Sequence, residues 1–284
     1  MPVTFGELST LTTPLSVARL CALFFSCLTL SLVSSVGYTS ESPSLHTFYS
    51  FCMVIWCLFF VLTFLVVVIH FIQFHNLLPL SWKNLTATVA ALGMLMTFSA
   101  SFAFIWTIAG QHESKRIVAA VGSCLTSLAY AAELQFIRSQ NDGHQRGYMA
   151  TVPGLLKLLQ VFGGCIALVL LNIQPEPSWR TCVSNVTYSV CLLPSVGTVL
   201  VMLMDCAGRS PVPFDRLLAS FSLLGVIMYT AGTVVCFTRA LEQYSGTKKP
   251  ELVFIMSETV MACITLLAYT VDLAFSVKLL CDRN

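Results

Sequence analysis

Two acidic residues stand inside apolar stretches of this chain in the same local setting: Tyr130, Glu133, Leu134 and Phe136, and again Tyr269, Asp272, Leu273 and Phe275. Each run reads Tyr, two residues, acid, Leu, any residue, Phe, and the two runs lie 139 residues apart. A carboxylate at the centre of a membrane-length helix costs on the order of 2.5–3.5 kcal/mol, so it must either line a path for protons or cations or be held by a cation on a neighbouring helix. Arg19 and Lys157 stand near the starts of the first and fifth apolar segments. If the first and fourth segments of each half are neighbours, Arg19 pairs with Glu133 and Lys157 with Asp272. Both acids are read as lying close to a helix end, where a charge reaches the interface, which favours a structural clamp over a transport path.

Other chemistry finds little support in the spacing. The chain has twelve cysteines, but no two are set two residues apart as a zinc-type pair, and most fall in apolar segments, where a thiol serves as a small apolar side chain. Cys182 is read as lying in an outer loop without a disulfide partner, and Cys206 and Cys281 at inner helix ends are candidate palmitoylation sites. Asn84 with Thr86 and Asn185 with Thr187 match the glycosylation pattern, but the first is expected on the cytosolic side and the second abuts a helix. His70 and His75, five residues apart, do not share a helical face. The chain has neither a phosphate-binding glycine loop nor a nucleophile elbow. No catalytic residue, metal site or cofactor is expected.

The elements that must position the acids are membrane helices. With mean hydropathy +0.82, 56% hydrophobic residues and 10% charged residues, the chain has far less charge than the roughly 25% of a soluble domain. Eight stretches reach the length of about 20 residues needed to span a hydrocarbon core: Val17–Gly37, Phe48–Ile72, Leu85–Ile108, Ile117–Ile137, Leu155–Ile173, Val186–Met204, Leu217–Phe237 and Val253–Leu280. Backbone groups in lipid need internal partners, so runs of this length predict helices and an all-α fold, not a barrel of about ten-residue strands. The N-terminal 1–16 reads as a cytosolic tail without a cleavable signal, and an even helix count places 282–284 on the same side.

With both termini inside, Arg19, Lys83, Arg138, Arg146, Lys157, Arg209, Arg216, Lys278 and Arg283 fall on the inner side. Lys115, Arg116, Arg180, Arg239, Lys248 and Lys249 fall outside, which favours cytosolic termini. A net charge of +2, scattered along the chain, gives no nucleic-acid footprint.

Further landmarks predict a tandem repeat of four helices. Arg19, Leu20, Phe24 and Cys27 match Lys157, Leu158, Phe162 and Cys165 at an offset of 138. Tyr49, Ser50 and Cys52 match Tyr188, Ser189 and Cys191 at 139, and Leu85, Ala87 and Gly93 match Leu217, Ala219 and Gly225 at 132. The drop to 132 implies a shorter inner loop between the sixth and seventh helices and a longer outer loop after it. Two bundles, 17–138 and 154–281, are joined by a polar, turn-rich cytosolic linker at 139–153. Small residues such as Gly163 and Gly164 mark close helix approach, Pro194 marks a candidate kink, and Trp56, Trp82, Trp106 and Trp179 are read as interfacial anchors.

The opening Leu11, Thr12, Thr13 and Pro14 before Arg19 and Leu20, the closing run Tyr269 to Lys278, and the two four-helix units together resemble the myeloid-associated differentiation marker family over essentially the whole chain. The resemblance implies two tandem MARVEL domains and a non-enzymatic protein of cholesterol-rich membrane domains and cell contacts, linked to small-GTPase recruitment and vesicle traffic. Expected partners are membrane lipids including cholesterol, other membrane or cortical proteins and a second copy of the chain. The expected location is the plasma membrane or cell contacts. The alternative reading is a small-solute or ion transporter with its pathway between the two repeats.

Overall fold

The computed structural model describes residues 12–37, 43–73, 80–108, 114–139, 147–173, 178–204, 214–244 and 249–283. Among them the chain forms α1 (Pro14–Val36), α2 (Pro43–Phe71), α3 (Trp82–Ile108), α4 (Ser114–Ser139), α5 (Val152–Asn172), α6 (Trp179–Leu203), α7 (Phe214–Tyr244) and α8 (Lys249–Arg283). A one-turn 3-10 helix, Tyr148–Ala150, precedes α5. Each of the eight α-helices contains a window long and apolar enough to cross a membrane. The chain is therefore an all-α, multi-pass integral membrane protein.

Local signals set the helix ends. Thr13 Oγ1 accepts a 3.2 Å hydrogen bond from the Ser16 amide, Pro14 occupies the first turn where its missing N–H costs nothing, and Gly37 closes α1 at φ 68°. Ser178 caps α6 by accepting from the Arg180 amide. The cap starts α6 seven residues before the expected Val186, because Arg180, Thr181, Ser184 and Asn185 depress hydropathy without breaking the helix. α6 then runs uninterrupted through Pro194. Buried hydroxyls mostly bond carbonyls of their own helix, as in Ser26 to Ala22, Thr29 to Phe25 and Thr265 to Met261, which satisfies them without water.

The chain divides into two compact units, Met1–Thr151 and Val152–Asn284. In the first, α1 packs on α2 and α4, and α3 packs on the same two helices, closing a ring. In the second, α5 and α7 each pack on α6 and α8 in the same way. Part of the expected 139–153 linker is not a free loop. Residues 140–146 lie outside the described residues, but the 3-10 turn docks on α3, with Asn84 Oδ1 accepting from the Met149 amide at 3.2 Å and Met149 and Ala150 buried. The first glycosylation match is thus a buried asparagine holding a backbone turn. Asn185 of the second match is exposed on α6.

Each unit has a tyrosine laid on a glycine. A Cβ at Gly93 would come within 3.0 Å of the Tyr130 ring, and one at Gly225 would lie well inside van der Waals contact with the Tyr269 ring. The Tyr130 hydroxyl donates to the Phe59 carbonyl at 3.1 Å and shares a 2.6 Å bond with Thr63 Oγ1. The Tyr269 hydroxyl donates to the Cys191 carbonyl at 3.2 Å and shares a 2.7 Å bond with Ser195 Oγ.

These partners correct the register read for the second and sixth helices. Phe59 and Thr63 stand where Cys191 and Ser195 stand, an offset of 132 and not 139, which agrees with the glycines. The connections 72–81 and 204–213 are accordingly equal in length, so the inner loop is not shortened. The differences fall at the other end of the bundle, and in α8 at both ends. α5 and α6 have 21 and 25 residues against 23 and 29 for α1 and α2, while α7 and α8 have 31 and 35 against 27 and 26 for α3 and α4.

Gly225→Ala should lower stability by about 1–3 kcal/mol through overpacking against Tyr269. Gly197→Ala, where a Cβ meets nothing within 4 Å, should leave it unchanged or slightly raised. Thermal unfolding of the purified chain in detergent measures both, and equal effects would show that the tyrosine contact does not set the helix spacing.

Candidate functional site: the buried charge pairs

The face of α1 that meets α4 is a stripe of residues at alternating spacings of three and four: Arg19, Ala22, Ser26, Thr29 and Val33, all at most 3% exposed. α4 answers with Gly122, Thr126, Tyr130 and Glu133, and Gly122 lets Thr29 approach. α8 carries a stripe of the same spacing, Glu258, Ala262, Thr265, Tyr269 and Asp272, against Lys157, Gln160, Gly163 and Ala167 of α5. Small residues let the backbones close on each other, which is how helices gain packing energy in lipid.

A charge pair stands at one end of each seam. Arg19 Nε donates to Glu133 Oε1 at 2.6 Å, with both side chains at most 3% exposed. Lys157 Nζ donates to Asp272 Oδ2 at 2.5 Å, again with both buried. The structure therefore brings together the residues of both expected pairs. Their surroundings differ. Asp272 Oδ2 also accepts from Gln160 Nε2 at 3.0 Å and from Ser222 Oγ, and Lys157 donates to Ser222 at 3.1 Å, so α5, α7 and α8 meet at one oxygen. Glu133 Oε2 has no hydrogen-bond partner among the described residues.

The depth read from the sequence needs correction. Glu133 lies close to the end of α4 at Ser139, as expected, but α8 continues from Asp272 to Arg283, about three turns; neither acid is open to the surface, so partners inside the bundle offset the charge. The orientation tally changes too. Arg19 and Lys157 are interior groups, and Arg239, read as an outer residue, lies within α7, so the inner excess narrows from nine against six to seven against five.

A third buried acid escaped the sequence reading. Glu258 is fully buried on α8 and accepts from the Tyr188 hydroxyl at 3.1 Å, from Cys236 Sγ at 3.3 Å and from Arg239 Nη1 at 3.4 Å. Tyr188, Tyr229 and Tyr269 follow one another as tilted ring contacts, with centroids 5.6 and 5.3 Å apart, and link this cluster to the other end of the unit. An acid only a few residues into an apolar run was the available signal, but α7 was expected to end at Phe237, before Arg239.

The remaining candidates are scattered. Cys281 is exposed in the last turn of α8, and Cys206 lies outside the described residues. Cys182 is an exposed residue of α6, not of a loop, and every described cysteine is a free thiol. Among the described residues no three His, Cys, Asp or Glu side chains gather to hold a metal. Trp56 is no interfacial anchor: it is fully buried, donates to Ser123 Oγ at 2.9 Å and meets Phe104 edge-on. Trp106 and Trp179 are exposed, Arg180 lies 5.5 Å over the Trp179 ring and pairs through both terminal nitrogens with Glu242, and Trp82 stacks on His70. The arrangement can hold helices together.

Lys157→Met or Asp272→Leu alone should destabilise the chain by about 3–5 kcal/mol, because each leaves an uncompensated buried charge. The double variant should recover most of that loss. A double-mutant cycle on detergent-solubilised protein checks it, and additive losses would show that the two groups do not act as a pair.

No protein-family model and no solved structure matches the chain. Curated relatives do. It is 30% identical to the myeloid-associated differentiation marker homolog of Xenopus laevis, covering 97% of this chain and 95% of that protein. It is 30% identical to the human myeloid-associated differentiation marker, covering 98% and 92%, and 33% identical to human myeloid-associated differentiation marker-like protein 2, covering 96% and 94%. Likeness at this level along nearly the full length of each chain, over eight membrane-length helices, shows that the chain belongs to the myeloid-associated differentiation marker family.

Proposed function

We propose that this protein is a non-enzymatic organiser of membrane domains and protein assemblies, built from two tandem MARVEL-like bundles that arose by duplication of one four-helix unit. The observation that carries this reading is where the polar groups go. The charge pairs and most of the core hydroxyls bond across or within the helices of one bundle, while large apolar side chains such as Phe24, Phe64, Phe102, Leu193 and Leu267 face outward. A bundle whose polar atoms brace its own helices and whose outer surface is apolar acts through that surface, on lipid and on other membrane helices. Its relatives carry names of differentiation markers and not of enzymes.

In this reading the protein sits in the plasma membrane or at cell contacts with both termini in the cytosol. Its partners are cholesterol-containing lipid, other membrane or cortical proteins and further copies of itself, in rafts, contacts or vesicle traffic. Acylation at Cys206 and Cys281 would strengthen its hold on ordered lipid.

Reconstitution into vesicles with coexisting ordered and disordered phases tests the proposal. The protein should concentrate in the ordered phase and change its extent, and it should pass no ion or small solute above the leak of empty vesicles. A solute-specific flux lost in Glu133→Gln or Asp272→Asn, with assembly intact, would replace the organiser with a transporter.

A further inference from the structure

We propose that the first unit holds a buried water molecule between the second carboxylate oxygen of Glu133 and the guanidinium of Arg19. The contrast with the second unit carries the inference. Lys157 and Asp272 are closed by Gln160, one turn beyond the lysine on α5, and by Ser222 on α7, both donating to the same oxygen. In the first unit the position three residues beyond Arg19 is Ala22. The position three before the glycine beneath the tyrosine is Ala90, where Ser222 stands three before Gly225. Both alanines are fully buried. The first unit thus has two methyl groups where the second has an amide and a hydroxyl, and its buried Glu133 Oε2 lacks a partner among the described residues; in the second unit all three donors meet Asp272 Oδ2, and the buried atom left without a partner is the amide oxygen of Gln160.

The longer Arg19 and Glu133 do not make up for the missing donors. Arg19 meets the carboxylate through Nε and Oε1 in a single contact and not as the two-pronged fork available to a guanidinium. A buried carboxylate oxygen without a donor costs more than a neutral group would, so a donor must reach it from elsewhere.

Charge decides the class of that donor. A metal cation would stand beside Arg19, which already neutralises Glu133, and an anion would stand beside the carboxylate. A neutral molecule that donates to Oε2 and accepts from guanidinium N–H meets both groups, and because the longer Arg19 and Glu133 take up part of the volume that two alanines leave against glutamine and serine, that molecule must be small. Water meets these conditions, since a buried water needs polar partners and space of about one probe sphere.

The test uses the full chain in lipid nanodiscs, at a resolution that shows ordered water. The expected result is a water density within about 2.6–3.2 Å of Glu133 Oε2, lost in Ala90→Ser as the new hydroxyl takes its place. No density at Oε2 in the wild type, or density belonging to a side chain or lipid headgroup, overturns the proposal. Infrared spectroscopy gives an independent reading on the folded wild type and Glu133→Gln. A protonated-carboxyl band that disappears in the variant would show that Oε2 carries its own proton, and would also overturn it. If either variant fails to fold, the wild-type density still decides.

Discussion

Burying a carboxylate between membrane helices is tolerable only when a cation from another helix meets it, and in each unit this requirement decides which helices are neighbours. Glu133 on α4 has Arg19 on α1, and Asp272 on α8 has Lys157 on α5, so the last helix of each unit must return to the side of the first and the ring must close. The small-residue seams follow from the same demand. Side chains as short as Glu and Asp reach their partners only if the backbones come close, and Gly122 against Thr29 and Gly163 against Thr265 permit that approach. One turn from each acid, the tyrosine lies on a glycine of α3 or α7 and bonds α2 or α6 through its hydroxyl. Two neighbouring residues on the closing helix thereby reach the other three helices of their unit.

Much of this was legible in the sequence, for physical reasons that also mark where it stopped being so. Hydropathy reveals the helices because lipid imposes a minimum length, but it misjudges ends where a helix runs on into polar residues. α6 therefore began early with Arg180, and α7 ran past Phe237 to bring Arg239 to Glu258. The paired acids and glycines were readable because few residue types are tolerated at such positions. The register of α2 against α6 was not. A slip of seven residues is two turns, which returns a helix to within about 20° of the same face, so apolar patterning cannot distinguish offsets of 139 and 132. Only cross-helix partners decide it, and those appear once Phe59 and Thr63 are seen where Cys191 and Ser195 stand.

The corrected register shows two solutions to one problem at the middle of each bundle. Trp56 and Tyr188 occupy matching positions on α2 and α6, both fully buried and both with a polar tip that needs a partner in the absence of water. In the first unit the Trp56 indole N–H donates to Ser123, which shares a proton with Ser101, while Thr97 and Ser127 pair one level further along. The chain of hydroxyls carries no charge. In the second unit Tyr188 donates to Glu258, and the charge brought in is met by Arg239 and the Cys236 thiol. The first solution consists of neutral donor–acceptor exchanges, whereas the second places an ion pair inside the bundle, with Arg239 at the α7 position that matches Thr107 of α3.

Length and charge are coupled at one end of the second unit. α7 and α8 both carry extra residues at the end away from Lys157 and Asp272, although α8 also runs on at the charge-pair end, and the last turn of α7 carries Glu242, which pairs with Arg180 at the start of α6. The added helix brings a second, exposed ion pair near the buried one, and Trp179 stands beside it. An exposed pair in water contributes little to stability. At the edge of a bilayer, however, an aromatic ring next to an arginine sits at headgroup level and fixes how far a bundle can slide through the membrane. The charge-pair ends of the two units keep the same loop length and the same contacts between acid, tyrosine and glycine, so variation in the opposite end leaves the closing of the ring intact. Under the proposed duplication, that end is where one copy could diverge from the other without losing its fold.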